Sequence, residues 1–473
     1  MNTIPDVHPQ LSVLSPEHIQ QVHHQSLDIL QRVGLRVDST RAVDILGASD
    51  GVQLLAPDHA VFQPELVEWA IQAVPDTISI YNRDGEPSFN LGADRARFGV
   101  GVTNLYYQDP LTDEITPFTR PLLGRSVRLG DALPAYDVIS TIGILRDVST
   151  QQADLYAILE MVANTSKPLV LLISDPLQFA PGLDVLEKIH GELAEKPFII
   201  PYFNPVSPLI LNVETSDKMI TAIQRGIPFI YSNYGMVGMS TPVTPARTLA
   251  LLNAELLAGL VFSQLVKPGT PVILGSLPAF FDMKTMVDFY DPQTMLLNLA
   301  CAEMMMHYRI PHAGTSGSGN GWGGDLLASG ALWTNHLTAC LGAVGLAPFV
   351  GGALASKVFS PTAVVYANEI IEQARAFAKG FPMDGDASAM DDILEAGPGG
   401  HFLMTDRTYK MFRTAYHMSS IFPRWGLEKW QEEGRPKADD YLRRRTVELL
   451  ETHQPPQDGE ALLGRGEEYI KNL

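Results

Sequence analysis

Between residues 97 and 352 the chain alternates short apolar runs with longer helical patterns, and the alternation recurs eight times. The runs fall at 98–102, 138–144, 169–173, 198–203, 229–234, 272–276, 310–314 and 348–352. Helical spacing is clearest at 153–164, 216–224, 245–266, 293–307 and 326–341. Lys167-Pro168, Lys196-Pro197, Gly226-Ile227-Pro228 and Pro268-Gly269-Thr270-Pro271 mark the turns from helix into strand. Eight strand-helix units over roughly 250 residues are what a closed (β/α)8 barrel requires. An open doubly wound sheet meets the same pattern and stays open as the alternative. The first run also fits a hairpin, because Asp109-Pro110-Leu111-Thr112-Asp113-Glu114 looks like a turn between two strands.

The expected class is therefore α/β, a (β/α)8 TIM barrel over 97–359. It carries an N-terminal helical cap over 1–96 and a C-terminal helical extension over 360–473 packed on the barrel. In the cap, Ser15-Pro16-Glu17 opens a helix through Ile19, Val22, Leu27 and Leu30 that stops near Gly34. A second helix opens at Pro64-Glu65. In the extension, 428–450 reads as one charged surface helix, and 455–459 as a linker before a short charged tail.

Composition narrows the function classes. A formal charge of −19 over 473 residues argues against neutralising nucleic-acid phosphates as the main task. Two cysteines build neither a disulfide framework nor a thiolate zinc site, so a reducing cytoplasm is expected. The N-terminus lacks the basic start and apolar core of a signal peptide. Polar residues interrupt each apolar run before the roughly 18 residues a membrane helix needs, so no membrane partner is expected.

Barrel chemistry sits where strands end and the following loops begin. Aromatics and amides dominate there, and the main acids and bases are Asp175, Asp282, His312, Asp325 and His336. The run from Gly314 to Asp325 is rich in glycine, and within it Gly319-Asn320-Gly321-Trp322-Gly323-Gly324 matches the dinucleotide fingerprint in form. The acid that fingerprint needs about 20 positions later is missing from 342–352. A hinged lid, or a loop whose amides meet a ligand carboxylate while Trp322 covers it, are the other readings. Tyr106, Tyr107, Phe203, Tyr234, Phe280, Phe281 and Trp322 fall near strand ends. One by one these are core residues, but together they suit a quaternary ammonium, which offers no hydrogen bond and is held by aromatic faces. His312 and His336 read more simply as core histidines, and Cys301 and Cys340 as buried and inert.

Asn204-Pro205-Val206-Ser207-Pro208-Leu209 resembles the N-P-x-S-P-L element of the trimethylamine methyltransferase superfamily. So do the segments starting Met236-Val237-Gly238-Met239, Asn253-Ala254-Glu255-Leu256 and Gln264-Leu265-Val266-Lys267. The opening Ile29-Leu30-Gln31-Arg32-Val33-Gly34 and the late Gly397-Pro398-Gly399-Gly400-His401 also fit, and all occur in order along nearly the whole chain. The loop after strand seven departs from the D-x-K-x-x-D-x-Q style of that family, and Arg407-Thr408 stands where His-Thr is usual. The founding members carry pyrrolysine, whereas this chain has standard residues only and resembles the glycine betaine and quaternary-amine branch.

The resemblance implies a barrel that moves a methyl group from a quaternary amine, with a betaine the expected compound, to the Co(I) of a separate corrinoid protein. Cobalamin would thus arrive on that partner, with no cofactor or metal held tightly by this chain. An in-line displacement needs chiefly orientation and desolvation. Tyr106, Phe203, Tyr234, Phe281 and Trp322 are the cage candidates, with Trp322 closing over the ligand. Asn204, Ser316, His336 and the glycine-loop amides are the candidate polar anchors. No residue is assigned a catalytic role. A homo-oligomer is expected. The competing functions are an NAD(P)-dependent oxidoreductase using the glycine loop and a non-catalytic betaine-binding barrel.

Overall fold

The computed structural model describes residues 6–92, 95–317, 319–342, 344–383 and 390–473. Eight parallel strands form a closed ring in chain order, and they are labelled β1 to β8 here. They are β1 Arg97–Val100, β2 Val138–Ser140, β3 Leu169–Leu171, β4 Ile199–Phe203, β5 Phe229–Val237, β6 Val272–Asp282, β7 His312–Ala313 and β8 Leu346–Val350. Pairing of β8 with β1, Leu346 opposite Arg97, removes the sheet edge. The open-sheet alternative is thereby excluded. The segment after β1 does fold as a hairpin, Tyr106–Gln108 against Ile115–Pro117, outside the barrel wall.

Each strand is followed by a helix. These are α1 Arg120–Ala132, α2 Ala153–Asn164, α3 Phe179–His190, α4 Val213–Gln224, α5 Pro245–Val266, α6 Pro292–Tyr308, α7 Leu326–Leu341 and α8 Pro361–Lys379. The last lies beyond residue 359, packs on α7 and α1, and closes the helical layer. Helix α5 corrects one sequence expectation. It has 22 residues and is long and apolar enough to cross a membrane by length and composition. Its all-round apolar surface has another cause. One side faces β5 and β6, and the other is covered by the N-terminal helices Pro16–Arg32 and Pro64–Ala73.

Ser15 caps the first of those helices with its side chain, as its sequence implies. The helix ends at Arg32 and the chain turns at Gly34, whose φ of +71° and close approach to Ala60 O leave no room for a side chain. A second N-terminal element closes the bottom of the barrel. The antiparallel hairpin Ile78–Tyr81/Pro87–Leu91 inserts Ile78, Ile80, Phe89 and Leu91 against the inward residues Val138, Val170, Ile200, Ile230, Ile273 and Leu346. Its turn is tied down by Arg83, which donates to both carboxylate oxygens of Asp458 at 2.5 and 2.8 Å.

Two further expectations change at the C-terminus. The charged stretch 428–450 is two helices, Leu427–Glu432 and Ala438–Thr452, because Gly434 and Pro436 interrupt it. The short tail is the helix Gly459–Lys471, which packs on α2 and α3 through buried Leu462, Gly466 and Ile470.

Candidate active site

Strand alternation decides which side chains enter the barrel mouth. On β4, Ile200 and Tyr202 point inward, so Phe203 faces outward and packs on Phe179 and Phe229 with ring centroids 5.4 Å apart. On β5, Ile230 and Tyr234 point inward by the same rule. A register shift within β8 between Ala347 and Val350 lets Phe349 join this inner set, its ring 4.9 Å from that of Tyr202.

A cavity of about 280 Å³ opens above these residues. Val102, Leu172 and Leu277 supply apolar wall, and Tyr202, Tyr234, Phe289, Tyr290 and Phe349 supply aromatic wall. Asn204, Asp288, Gly319, Ala355 and Ser356 complete it. Asp288, Phe289 and Tyr290 come from a hairpin that sequence reasoning missed. Residues Val287–Phe289 fold back antiparallel on the end of β6, with Phe280 opposite Phe289 and Phe281 opposite Asp288. The Asp282 carboxylate tightens that turn by accepting from Lys284 N–H at 2.9 Å and from the Thr285 hydroxyl. Phe289 is 37% exposed and stands at the rim.

The eight expected site residues therefore divide. Asn204 and Tyr234 line the cavity. Phe203 lies one residue out of phase with it, and Phe281 sits on the hairpin that carries Asp288. Tyr106 is 41% exposed on the outer hairpin and lines no part of the mouth. Ser316 and His336 do come together, but in a separate buried crevice of about 10 Å³, room for no more than one water. His336 stands edge-on to Phe98, and burial drives its pKa down to about 3, so it is neutral near pH 7. His312 is likewise held neutral by burial, at about 3. Trp322 is 67% exposed and borders a different hollow beside Gln108, Tyr366 and Arg443.

The glycine run is pinned rather than loose. Gly319 N–H donates to Gly352 O at 3.0 Å, while Leu354 and Ala355 N–H donate back to Gly321 and Gly319 carbonyls at 2.9 and 3.1 Å. At Gly319, φ is +94° and an added Cβ would lie 2.6 Å from Ser356 Oγ. Amides of Gly317, Trp322 and Gly324 are taken by Thr315, Asp325 and Thr362. Four of the loop amides proposed as anchors, those of Gly317, Gly319, Trp322 and Gly324, thus already have partners within the protein.

Electrostatics in the cavity are simple. The Tyr234 hydroxyl donates to Asp288, and burial, the neighbouring Tyr290 and that carboxylate hold the Tyr234 phenol well above its ordinary value. Burial also raises Tyr202, and Tyr290 to about 12, so all three phenols stay protonated near pH 7. Asn204 donates to Ser232 O at 2.8 Å, which locks the first residue of the N-P-x-S-P-L loop. Behind it, buried Glu255 on α5 accepts from Ser207 Oγ, Leu209 N–H and Asn233 Nδ2 at 2.8, 2.7 and 2.9 Å. Burial outweighs those donors and pushes its carboxyl up to about 7. Glu255 had a motif position but no role in the sequence reading.

Among the described residues no three His, Cys, Asp or Glu side chains cluster as a metal-binding set. Burial raises the Cys301 and Cys340 thiols to about 12 and 11, which leaves them poor nucleophiles. The arrangement can hold a cation against aromatic faces, and beyond Asp288 it offers little acid–base chemistry.

The sequence pattern of the trimethylamine methyltransferase (MTTB) family matches residues 1–472. The chain is 28% identical over 457 residues to a trimethylamine methyltransferase of Desulfitobacterium hafniense, covering 94% of this chain and 90% of that one. It is 23% identical over 455 residues to a glycine betaine methyltransferase of the same species, covering 95% and 94%. In fold it is similar to the crystal structure of the Methanosarcina barkeri monomethylamine methyltransferase, with a TM-score of 0.54 at 10% identity over 98% of this chain and 88% of that one. With a match along nearly its whole length, the chain belongs to the trimethylamine methyltransferase (MTTB) family of methyltransferases.

Proposed function

We propose that this methyltransferase moves a methyl group from a quaternary ammonium compound, the class that includes the betaines, to the corrinoid of a partner protein. The observation that carries the reading is the mouth cavity, where five aromatic side chains and one carboxylate face a space with no Lys, Arg or His in its described lining. A relative that acts on glycine betaine supports the substrate class. When docked at the mouth, the corrinoid supplies a strongly nucleophilic cobalt(I) that accepts the methyl group.

The chain's own residues do the rest. Tyr202, Tyr234, Tyr290 and Phe349 hold the ammonium by their faces, and the apolar wall excludes water around the transferred methyl. The carbon–nitrogen bond breaks with its electron pair left on nitrogen, so the amine departs neutral and needs no proton. That matches a cavity whose tyrosines are raised above their ordinary values and whose nearest histidines are buried elsewhere. The pinned glycine loop gives no comparable support to nicotinamide binding, since the amides of Gly319, Trp322 and Gly324 are already engaged within the protein.

We further propose a cytoplasmic homo-oligomer. Two unpaired cysteines support the reducing compartment. Exposed Phe402, Leu403, Met404, Tyr409 and Phe412 on the C-terminal segment support association of copies.

The test is to mix the purified chain with free cob(I)alamin and a panel of quaternary amines, following methylcobalamin by absorbance and the tertiary amine by mass spectrometry. Transfer from at least one quaternary amine is expected. Binding of such an amine without any turnover would instead identify a silent barrel, and NAD(P) binding without amine binding would identify an oxidoreductase.

A further inference from the structure

The same cavity constrains the other end of the substrate, an argument that rests on the quaternary ammonium reading above. A betaine carries a carboxylate as well as its ammonium, and a buried carboxylate needs a cation or several free donors. The described lining holds no cation, and its free donors are neutral and few. The lining holds one ionisable carboxylic side chain, Asp288, and no cationic one among the described residues. Lys284 and Lys357, the cations nearest in sequence to the lining, are exposed to solvent. Gly319 N–H is taken by Gly352 O and one Asn204 side-chain N–H by Ser232 O, which leaves a single Asn204 N–H. Beside it is the Tyr202 hydroxyl, which lies near Ser232 and Asn204 without an aligned hydrogen-bond partner. A neutral hydroxyl can serve both as donor and as acceptor to another neutral group.

We propose that Asp288 sets the substrate class, selecting a quaternary ammonium with an uncharged polar tail, such as a hydroxyethyl group, over a zwitterionic betaine. Asp288 attracts the ammonium and repels a second carboxylate in a space too small to separate them far. Tyr234 holds the Asp288 carboxylate in place by donating to it.

Calorimetric titration of the whole chain with choline, tetramethylammonium and glycine betaine tests this directly. Choline and tetramethylammonium are expected to bind at least about tenfold more tightly than glycine betaine. In Asp288→Asn the choline-to-betaine ratio should shrink to roughly threefold or less, with choline weakened and betaine spared. Glycine betaine binding as tightly as choline to the native chain would overturn the proposal. So would an unchanged ratio in the variant. Should Asp288→Asn not fold, Tyr234→Phe keeps the ring and frees the carboxylate of its donor. The ratio should then hold or rise, and a collapse would count against the assignment. If none of the three compounds binds, the quaternary ammonium reading itself falls. Preferential betaine binding would leave that reading standing and remove only the selectivity claimed for Asp288.

Discussion

The two ends of the barrel are built from the same alternating strands and end up with opposite chemistry. At the bottom, Ile78, Ile80, Phe89 and Leu91 from one hairpin fill the ring against Val138, Val170, Ile200 and Ile273. At the top, a second hairpin leans over the mouth but leaves a cavity of about 280 Å³ and places Asp288 inside it. A plug buries apolar area and contributes stability. A roof that stops short leaves aromatic side chains lining a space that a ligand can enter. The division suits a barrel whose lower face secures the fold and whose upper face carries the chemistry.

Cutting the plug should give the largest effect. Phe89 is buried under the Arg97 guanidinium, 5.0 Å from its ring centroid, so Phe89→Ala should cost about 3–5 kcal/mol of stability in a urea titration. Amine affinity of the folded fraction should hold. A matching loss of affinity would break the division between the two ends.

Glu255 comes next, since it supports the upper face from behind. Its folded carboxyl keeps a proton up to about 7, whereas the unfolded chain loses it near 4.5. The folded state therefore binds more protons in that window, and this group lowers stability as pH rises from about 4.5 to about 7, by up to roughly 3 kcal/mol. Above about 7 its contribution is constant. Glu255→Gln should flatten that part of the profile, read as the difference in urea midpoint between pH 5 and pH 7.5. Equal falls in both proteins would show that the site titrates elsewhere.

Smaller effects belong to the mouth itself. Phe349→Leu keeps apolar volume but removes a ring face, and it should weaken tetramethylammonium binding by about 1 kcal/mol, roughly fivefold. Stability should change by less than about 1.5 kcal/mol. Calorimetry and thermal melting of this one variant would sharpen the comparison with Phe89. Trp322→Ala should do least, because its ring is 67% exposed and faces another hollow. Both melting temperature and amine affinity should stay within about 0.5 kcal/mol of the native values. A clear affinity loss would restore Trp322 as a cover for the ligand.

Much of the fold was legible before any coordinates. Helices α2, α5 and α7 begin and end where their apolar spacing begins and ends, and all eight strand runs became barrel strands. The lining of the mouth cavity was legible only in kind. Aromatics and amides at strand ends do line the cavity, and of the expected residues Asn204 and Tyr234 are among them. Phe203 was displaced by its neighbour Tyr202, although counting back two from Asn204 would have found it. Nothing local marked Phe349, because a register shift in β8 turns it inward. Nor did anything local mark Asp288, which reaches the mouth only because its hairpin folds back on β6.

The sequence by itself determined the order of strands and helices, the apolar faces that make them a closed barrel, and the kinship carried by its short motifs. Those features depend on residues two to four apart, where spacing alone fixes which side chains share a face. Tertiary structure alone decided the cavity. Val102, Tyr202, Asp288 and Phe349 are far apart in the chain, and they meet only once the ring has closed. Closure converts a one-residue difference in strand phase into the difference between a wall of the site and a brick of the core.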